Sequence, residues 1–293
     1  MTGRPVLGLL VAPGTVDRSA ALVRRMALWC EPRAIDAATP PAAAVFATGP
    51  AVPGLARLLA DRPGPVAVWV EDERELASGR AVVDPADVVV TPSATVAAAV
   101  GDRGVAVPVD AVEADALAPV PPFVRERWRR RAGLDPSLVV ALGVPGVSPL
   151  PADVVPAALS VAAAAVVVGP ELVTALGLGT PVVTDAAGAA RVGAEPGVEL
   201  LVAPAADARG VAAVLAGAPA RAAALSRRGR RLVERRFDLG PAAAELASRL
   251  GLAGPSTRGP HAAVAAALTE LGTPPGARPA LRAAEALAAF GRV

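Results

Sequence analysis

Short apolar runs alternate with longer amphipathic stretches through the first half of the chain, and the two patterns predict strands and helices in turn. Buried strands are predicted at Pro5–Val11, Ala43–Ala47, Val66–Val70, Val88–Thr91 and Val105–Val109. Helices are predicted between or after them, at Ala21–Cys30, Val52–Ala60 and Ser93–Val100. Apolar strands separated by helices are typical of a parallel sheet that is covered on both faces. The first half therefore predicts a doubly wound α/β domain.

A second run of alternating elements follows a segment rich in proline, alanine and acidic residues. That segment, Asp110–Pro122, is interpreted as a linker. The elements predicted after it are a basic helix at Phe123–Ala132, strands at Leu138–Leu142, Ala164–Val168, Pro181–Thr184 and Val198–Ala203, and a helix that begins near Asp207. Asp185–Ala190 is interpreted as a loop of small residues. We therefore expect an N-terminal domain over residues 1–120, a C-terminal domain over 121–253, and a Gly/Pro-rich linker with a helical tail over 254–293.

The composition removes several kinds of chemistry. None of the 293 residues is Lys, Tyr, Asn or Gln, so all 29 basic residues are Arg. Arginine must therefore supply every side-chain positive charge in a binding site, through its fixed fork of donors. One Cys and one His exclude an intrachain disulfide and a Cys/His zinc site. We expect Cys30 to be a buried apolar residue and His261 to lie at the surface or at a helix cap.

No segment predicts a membrane span or a convincing secretory signal. The longest apolar run, Ala157–Val168, is too short to cross a bilayer. The run Val6–Val11 is short and is better interpreted as the first strand. We therefore expect a soluble, cytoplasmic protein.

A succession of short motifs begins near the end of the first half. Ala86–Ser93 reads ADVVVTPS, Val107–Asp110 reads VPVD, and RAGL at Arg131–Leu134 precedes VVALG at Val139–Gly143. Leu178–Pro204 then carries GTPVV and ELLVAP, and Val233–Asp238 reads VERRFD. In order and spacing these motifs resemble the GT-B glycosyltransferases, retaining enzymes that use nucleotide-sugar donors. The resemblance covers roughly Asp87–Leu252.

The resemblance implies two Rossmann-like α/β domains in the GT-B arrangement, reduced in size, with the acceptor side in the first domain and the donor side in the second. It implies a nucleotide-sugar donor, an unidentified acceptor, and no metal or other cofactor. It assigns no catalytic residue. The donor-binding residues to which it points are Gly14, Glu171, Thr174, Gly179, Thr180, Asp185, Gly188 and Arg191. Of these, Gly14 falls where the family has a glycine-rich loop, but it also fits an ordinary strand–helix turn.

Several positions depart from the family pattern. Thr174 stands where the family has a Glu that binds the ribose, and Val166 stands where it has a second Glu. Glu171 is a candidate replacement, or an acid that only favours the start of a helix. The segment Gly143–Ala152 lacks the Arg and Lys that clamp the donor diphosphate in the family. Arg191 is the nearest candidate to replace them.

These departures leave two main hypotheses of function open. The first is a working glycosyltransferase with a simplified donor site between the domains. The second is a non-catalytic family member that binds a ligand or a partner enzyme. A third, a sugar-phosphate epimerase of similar fold, lacks its expected catalytic acids. Because a leaving diphosphate needs charge stabilisation, we expect any sugar transfer to be weak.

Two clusters of arginines have no role in the resemblance. One comprises Arg125, Arg127, Arg129, Arg130 and Arg131, and the other comprises Arg221, Arg227, Arg228, Arg230, Arg231, Arg235 and Arg236. Either they form solvated helix faces over their own core, or they contact acidic lipid, nucleic acid or a phosphorylated substrate. Because aromatic stacking residues are scarce, we expect no nucleic-acid partner. Peripheral membrane contact through these helices stays open.

Overall fold

The computed structural model contains two separate parallel sheets. It describes residues 5–11, 16–27, 30–34, 43–52, 55–61, 64–114, 117 and 119–252. Gly14, His261 and the predicted tail over 254–293 lie outside the described residues. No helix among the described residues is long and apolar enough to cross a membrane.

The first sheet has the strand order β2-β1-β3-β4-β5-β6. Its strands are β1 (Val6–Leu10), β2 (Glu31–Ala34), β3 (Ala44–Ala47), β4 (Val66–Trp69), β5 (Val88–Thr91) and β6 (Gly104–Ala106). The helices that connect them are α1 (Val16–Met26), α2 (Leu55–Asp61), α3 (Glu73–Val83) and α4 (Ala94–Val100). One face packs on α1 and the other on α2, α3 and α4. Since helices cover both faces, β3, β4 and β5 are buried at every position.

The second sheet has the strand order β10-β9-β8-β7. Its strands are β7 (Val139–Leu142), β8 (Ala164–Val167), β9 (Val182–Thr184) and β10 (Leu201–Val202). The helices of this half are α5 (Pro122–Arg131), α6 (Val155–Val161), α7 (Glu171–Gly177), α8 (Ala186–Val192), α9 (Ala208–Ala216), α10 (Pro219–Arg236) and α11 (Gly240–Arg249). The sheet packs between α9 on one face and α7 with the later part of α10 on the other.

The chain passes between the two sheets at two places that are hydrogen-bonded to each other. The first crossing leaves β6 at Val107, and the second follows α10 at Phe237. The backbone N–H of Val112 donates to the carbonyl of Phe237 at 2.8 Å, and that of Leu239 donates to the carbonyl of Val112 at 3.0 Å. After the second crossing, α11 packs on the first sheet beside α1. The described start of the segment interpreted as a linker, residues 110–114, is therefore held to the second crossing by backbone hydrogen bonds.

The predicted α/β architecture with two parallel sheets is confirmed, and most predicted strands begin or end within two residues of the observed ones. The sequence patterns missed β2, α3, α6 and α11. The acidic run that follows β4 starts α3, because the Asp72 carboxylate accepts the backbone N–H groups of Arg74 and Glu75 at 3.0 and 2.9 Å. This is the usual way in which an Asp caps a helix. Cys30 is buried, as expected.

Two local predictions in the second half are wrong. Asp185–Ala190 is not a loop: Asp185 caps α8, which extends over Ala186–Val192. Its run of alanines favours a helix once the first turn is capped. The strand predicted at Val198–Ala203 is reduced to Leu201–Val202, because the backbone N–H of Gly197 donates to the carbonyl of Leu200 and closes a tight turn.

The first arginine cluster is not simply a solvated helix face, because Arg125 and Arg129 are only 3% and 8% exposed. The Arg125 guanidinium donates to the carbonyls of Val120 and Leu159 at 2.9 Å each and to that of Leu178 at 2.5 Å. Burial, and secondarily the charge of Arg129, lower the pKa of Arg125 to about 10. Arg125 thus joins the carbonyl ends of α6 and α7 to α5.

Candidate functional site

The carboxyl edge of the first sheet borders a cavity of about 450 Å³. Parallel strands end at the same edge, and open α/β sheets bind their ligands there. Trp69 and Glu71 contribute from the end of β4, Pro92 and Ser93 from the end of β5, and Val107–Ala111 from the segment after β6. The first crossing between the sheets therefore begins in the wall of this cavity.

Hydrogen bonds fix the acidic side of the cavity. The indole Nε1 of Trp69 donates to Oε2 of Glu71 at 3.0 Å, and the backbone N–H of Glu71 donates to Oε2 of Glu75 at 2.5 Å. The hydroxyl of Ser93 donates to Oε1 of Glu73 at 2.7 Å and lowers the pKa of that carboxyl. Burial, together with the charges of Asp72 and Glu71, raises the pKa of Glu75. This acidic side suits hydroxyl groups or a cation better than a phosphate.

Asp110 links the cavity to the second sheet. It is the one non-glycine residue with a positive φ, 60°, among those that the structure describes. Aspartate adopts this left-handed conformation more readily than most residues. Its Oδ2 lies 3.7 Å from Nε of Arg191, which belongs to α8 at the second sheet. The ion pair therefore brings the carboxyl edges of the two sheets together.

At the second sheet, glycine permits the strand ends to approach each other closely. Gly143, directly after β7, has a φ of +66°, and a Cβ placed on it would lie 1.7 Å from the carbonyl oxygen of Val168. Only glycine fits this position. The following residues to Ala152 contain no arginine. This loop therefore brings no cationic side chain to the edge.

Glu171 and Arg191 meet at Gly169, the residue that follows β8 and Val168. A Cβ on Gly169 would lie 3.2 Å from Oε2 of Glu171. Nη2 of Arg191 donates to the carbonyl of Gly169. The Glu171 side chain is half-buried, and within the described part of the chain its carboxylate has neither an ion pair nor a hydrogen bond. An unengaged carboxylate and a guanidinium thus lie at the same strand end.

Asp185 and Gly188 hold the start of α8 at the same edge. Oδ1 of Asp185 accepts the backbone N–H of Gly188 at 2.6 Å. A Cβ on Gly188 would lie 2.4 Å from Oγ1 of Thr184 and 3.5 Å from Cδ2 of Leu172 in α7. The small residue therefore lets α8 begin against α7. Both residues fix the start of α8 at this edge. One of the two carboxylate oxygens of Asp185 accepts the hydrogen bond that caps the helix.

Gly179 and Thr180 lie at the opposite end of β9, because they precede its first residue, Val182. Thr180 is 1% exposed. Its hydroxyl accepts from Nη1 of Arg125 at 3.1 Å and donates to the carbonyl of Leu159 at 2.9 Å. A group bound at the carboxyl edge cannot reach this hydroxyl. Gly179 and Thr180 therefore lie where β9 starts, and not at the carboxyl edge of the sheet.

Thr174 lies in α7 one turn after Glu171 and is half-buried. Of the residues to which the resemblance pointed, Glu171, Asp185, Gly188 and Arg191 come together at the carboxyl edge, with Thr174 on the adjoining helix. The sequence patterns missed Trp69, Glu71 and Asp110. Their available signals were the acidic run directly after a buried strand and the final residue of the VPVD motif.

Comparison with known proteins identifies the architecture. No protein-family model matches the sequence, and no curated protein matches it. Among solved structures, HepE of Anabaena in complex with UDP-glucose is 13% identical, with a TM-score of 0.53 over 84% of this chain and 99% of that one. A glycosyltransferase of Rickettsia africae is 8% identical, with a TM-score of 0.56 over 87% of this chain and 100% of that one.

A candidate UDP-N-acetylglucosamine 2-epimerase of Listeria monocytogenes is also similar, with 12% identity and a TM-score of 0.51 over 86% of this chain and 98% of that one. The architecture is therefore shared by proteins of more than one activity, and it does not define the reaction. What it does define is the frame in which Glu171, Arg191 and Asp110 lie: the chain has the GT-B fold.

Proposed function

We propose that the protein binds a nucleotide sugar between the carboxyl edges of its two sheets and transfers the sugar slowly, as a glycosyltransferase with a simplified donor site. One observation carries the proposal. The unengaged carboxylate of Glu171 and the guanidinium of Arg191 meet at Gly169, and Arg191 pairs with Asp110 in the wall of the opposite cavity. HepE, which shares the fold, binds UDP-glucose, and this supports a nucleotide-sugar ligand.

Glu171 is the residue best suited to the ribose. A carboxylate accepts two hydrogen bonds and so matches a vicinal diol, which presents two O–H donors. Thr174 follows at a spacing of three residues in the same helix, so its hydroxyl lies toward the same face. This pair replaces the glutamate that the family resemblance leads one to expect at position 174.

Arg191 is the residue best suited to the diphosphate. Its guanidinium carries a permanent charge and a fork of donors that matches phosphate oxygens. Two of its nitrogens already face Asp110 and the carbonyl of Gly169. A diphosphate must therefore compete with Asp110 for the guanidinium, and the competition reduces the stabilisation of the leaving group. Slow transfer follows from this arrangement.

The acceptor belongs in the cavity of the first sheet. Glu71 and Asp110 contribute carboxylates to it, and Trp69 contributes an aromatic ring. Such a lining favours a neutral, hydroxyl-bearing acceptor over a phosphorylated one, because carboxylates repel phosphate. In this proposal residues 1–120 form the acceptor side together with α11, which packs on their sheet, and the rest of residues 121–253 form the donor side.

A second candidate function is a non-catalytic protein that binds the same ligand or a partner. One observation favours it: the guanidinium nearest to the proposed diphosphate is already neutralised by Asp110 at 3.7 Å. The loop Gly143–Ala152 adds no positive charge. A site of this kind can hold a nucleotide sugar without supporting departure of the nucleotide.

Thermal denaturation in the presence of a panel of nucleotide sugars tests the proposal, since a ligand that binds the native state raises the melting temperature. At least one nucleotide sugar is expected to stabilise the protein. Glu171→Gln is expected to weaken that binding about tenfold or more, because a hydrogen bond to a charged group contributes about 1.5–3 kcal/mol. Glu195→Gln, at an exposed glutamate in the same half, is the matched control and is expected to bind normally.

The outcomes separate the two candidates. Stabilisation with detectable turnover supports the glycosyltransferase, and stabilisation without turnover supports the non-catalytic protein. If no nucleotide sugar stabilises the protein, the glycosyltransferase and the non-catalytic protein that binds the same ligand are both wrong, and only binding of a partner is left. Equal weakening by the two glutamate substitutions would reject Glu171 as the ribose-binding residue.

A further inference from the structure

Among the aromatic side chains that the structure describes, only two are exposed, and both belong to helix α5. Phe46, Trp69 and Phe237 are all at most 8% exposed, whereas Phe123 is 68% exposed and Trp128 is 40% exposed. Aromatic residues make up only 2% of the chain. It is therefore unusual that two of these few aromatic residues lie on the surface of a single helix. Water-exposed aromatic rings of this kind often mark a surface that meets another phase or partner.

The same helix carries five arginines and one glutamate, and the arginines have two distinct roles. Arg125 and Arg129 point inward and donate to backbone carbonyls. Arg130 pairs with Glu126 at 2.6 Å. Arg127 and Arg131 are exposed, and neither forms an ion pair with any residue that the structure describes. The outer face of α5 therefore carries positive charge that the described residues do not neutralise.

Helical spacing places the exposed residues on one surface. Phe123, Arg127 and Arg131 follow each other at intervals of four and so form a line along the helix. Trp128, the residue after Arg127, lies beside that line. The inward arginines fix which face is outermost, because Arg125 donates to carbonyls of three other segments. The helix ends at Arg131, and Leu134, three residues later, is also exposed, at 40%.

We propose that this face of α5 docks onto an anionic phospholipid bilayer. Arginines match the lipid phosphates, and Trp and Phe side chains are favoured at the depth of the headgroups. A basic helix with exposed apolar side chains lies in the interface plane rather than crossing it. The proposal depends on α5 alone and does not require that the protein transfer a sugar.

A single-stranded nucleic acid is the other polyanion to consider. Such strands bind where aromatic rings form a series of stacking platforms along a basic groove. α5 offers only two rings, Phe123 at one end of the line and Trp128 beside it, and Leu134 offers no ring for stacking. An aliphatic side chain does insert among acyl chains. The combination therefore favours lipid.

Cosedimentation of the full-length protein with vesicles tests the proposal. The protein is expected to bind vesicles of phosphatidylcholine that contain phosphatidylglycerol, and to bind pure phosphatidylcholine much more weakly. An Arg near an anionic surface contributes about fivefold in affinity, so Arg127→Ala with Arg131→Ala is expected to reduce binding about thirtyfold. Phe123→Ser with Trp128→Ser is also expected to reduce it. The tryptophan fluorescence of the unaltered protein, which has three Trp, is expected to shift to the blue on binding, and Trp128→Ser is expected to remove this shift.

Two matched controls keep the assignment specific. Arg227→Ala with Arg228→Ala removes the same charge from exposed positions of α10, and Val214→Ser removes an exposed apolar side chain from α9. Both are expected to leave vesicle binding unchanged. Equal loss from the controls, equal binding to neutral vesicles, no vesicle binding, or binding to an oligonucleotide in preference to vesicles would each overturn the proposal.

Discussion

Asp110 and Arg191 connect the two halves of the molecule: the carboxylate that follows the last strand of the first sheet lies 3.7 Å from the guanidinium of α8 at the second. Each residue has a second commitment. Asp110 occupies a left-handed backbone conformation at the cavity wall, and Arg191 donates to the carbonyl of Gly169. Any ligand that spans the two edges must therefore meet this pair.

The first prediction concerns competition for Arg191. Asp110→Asn removes the charge but keeps a residue that tolerates the left-handed conformation. Without its partner carboxylate, Arg191 is available to a donor diphosphate, so we expect a nucleotide sugar to bind about two- to fivefold more tightly. Isothermal titration calorimetry measures this, with Asp153→Asn, at an exposed aspartate of the second half, as control. Unchanged or weaker binding by Asp110→Asn would show that the ion pair does not limit the site.

The second prediction is a pH dependence of opposite sign for two neighbouring glutamates. The pKa of Glu75 is raised above its ordinary value of 4.5, so the folded state binds that proton more tightly than the unfolded chain does. The stability that the protonated carboxyl contributes is therefore present below pH 4.5 and is lost as the pH rises through the folded-state pKa. Glu75→Gln removes this loss, and we expect it to be more stable than the unaltered protein at neutral pH.

The pKa of Glu73 is lowered, so its contribution to stability is present above pH 4.5 and is lost as pH falls toward the folded-state pKa. Glu73→Gln is therefore expected to be less stable at neutral pH, and the difference is expected to disappear in acid. Melting temperatures of the unaltered protein, Glu73→Gln and Glu75→Gln, measured from acidic to neutral pH, test both effects. Shifts of the same sign for the two substitutions would refute the assigned causes.

The third prediction concerns Arg125. Arg125→Ala removes the charged donor from the buried carbonyls of Leu159 and Leu178 and from the hydroxyl of Thr180. A hydrogen bond to a charged group contributes about 1.5–3 kcal/mol, and several are lost together, so we expect the free energy of unfolding to fall by about 3–5 kcal/mol. Urea denaturation measures it. Arg227→Ala, at an exposed position, is expected to change stability by about 0.5 kcal/mol or less, and similar losses in the two variants would contradict the structural role of Arg125.

The strands were predictable because a parallel sheet covered on both faces requires continuous apolar runs, such as Val66–Trp69 and Val88–Thr91. Helix α8 was not, because Ala186–Val192 consists largely of small residues with no strong apolar periodicity, and its cap depends on one hydrogen bond from Gly188 to Asp185. Small residues next to a strand end are as common in loops as in helices.

The candidate site was predictable only where motif and strand direction agree. Glu171 and Arg191 follow β8 and β9, so their position at the carboxyl edge follows from the order of elements. Thr180 belongs to the same motif, but it precedes β9, and its hydroxyl is used by Arg125 from a distant helix. The contact between Asp110 and Arg191 joins residues far apart in the chain, and no local pattern indicates it.

The most direct test of the proposed function is turnover of a nucleotide sugar that stabilises the protein, measured for the unaltered protein and for Arg191→Ala. Because Arg191 is the proposed partner of the leaving diphosphate, its loss removes a charge-assisted contact of about 1.5–3 kcal/mol, and we expect turnover to fall at least about tenfold from an already slow rate. Fast turnover that is unchanged in Arg191→Ala would contradict the proposed donor site.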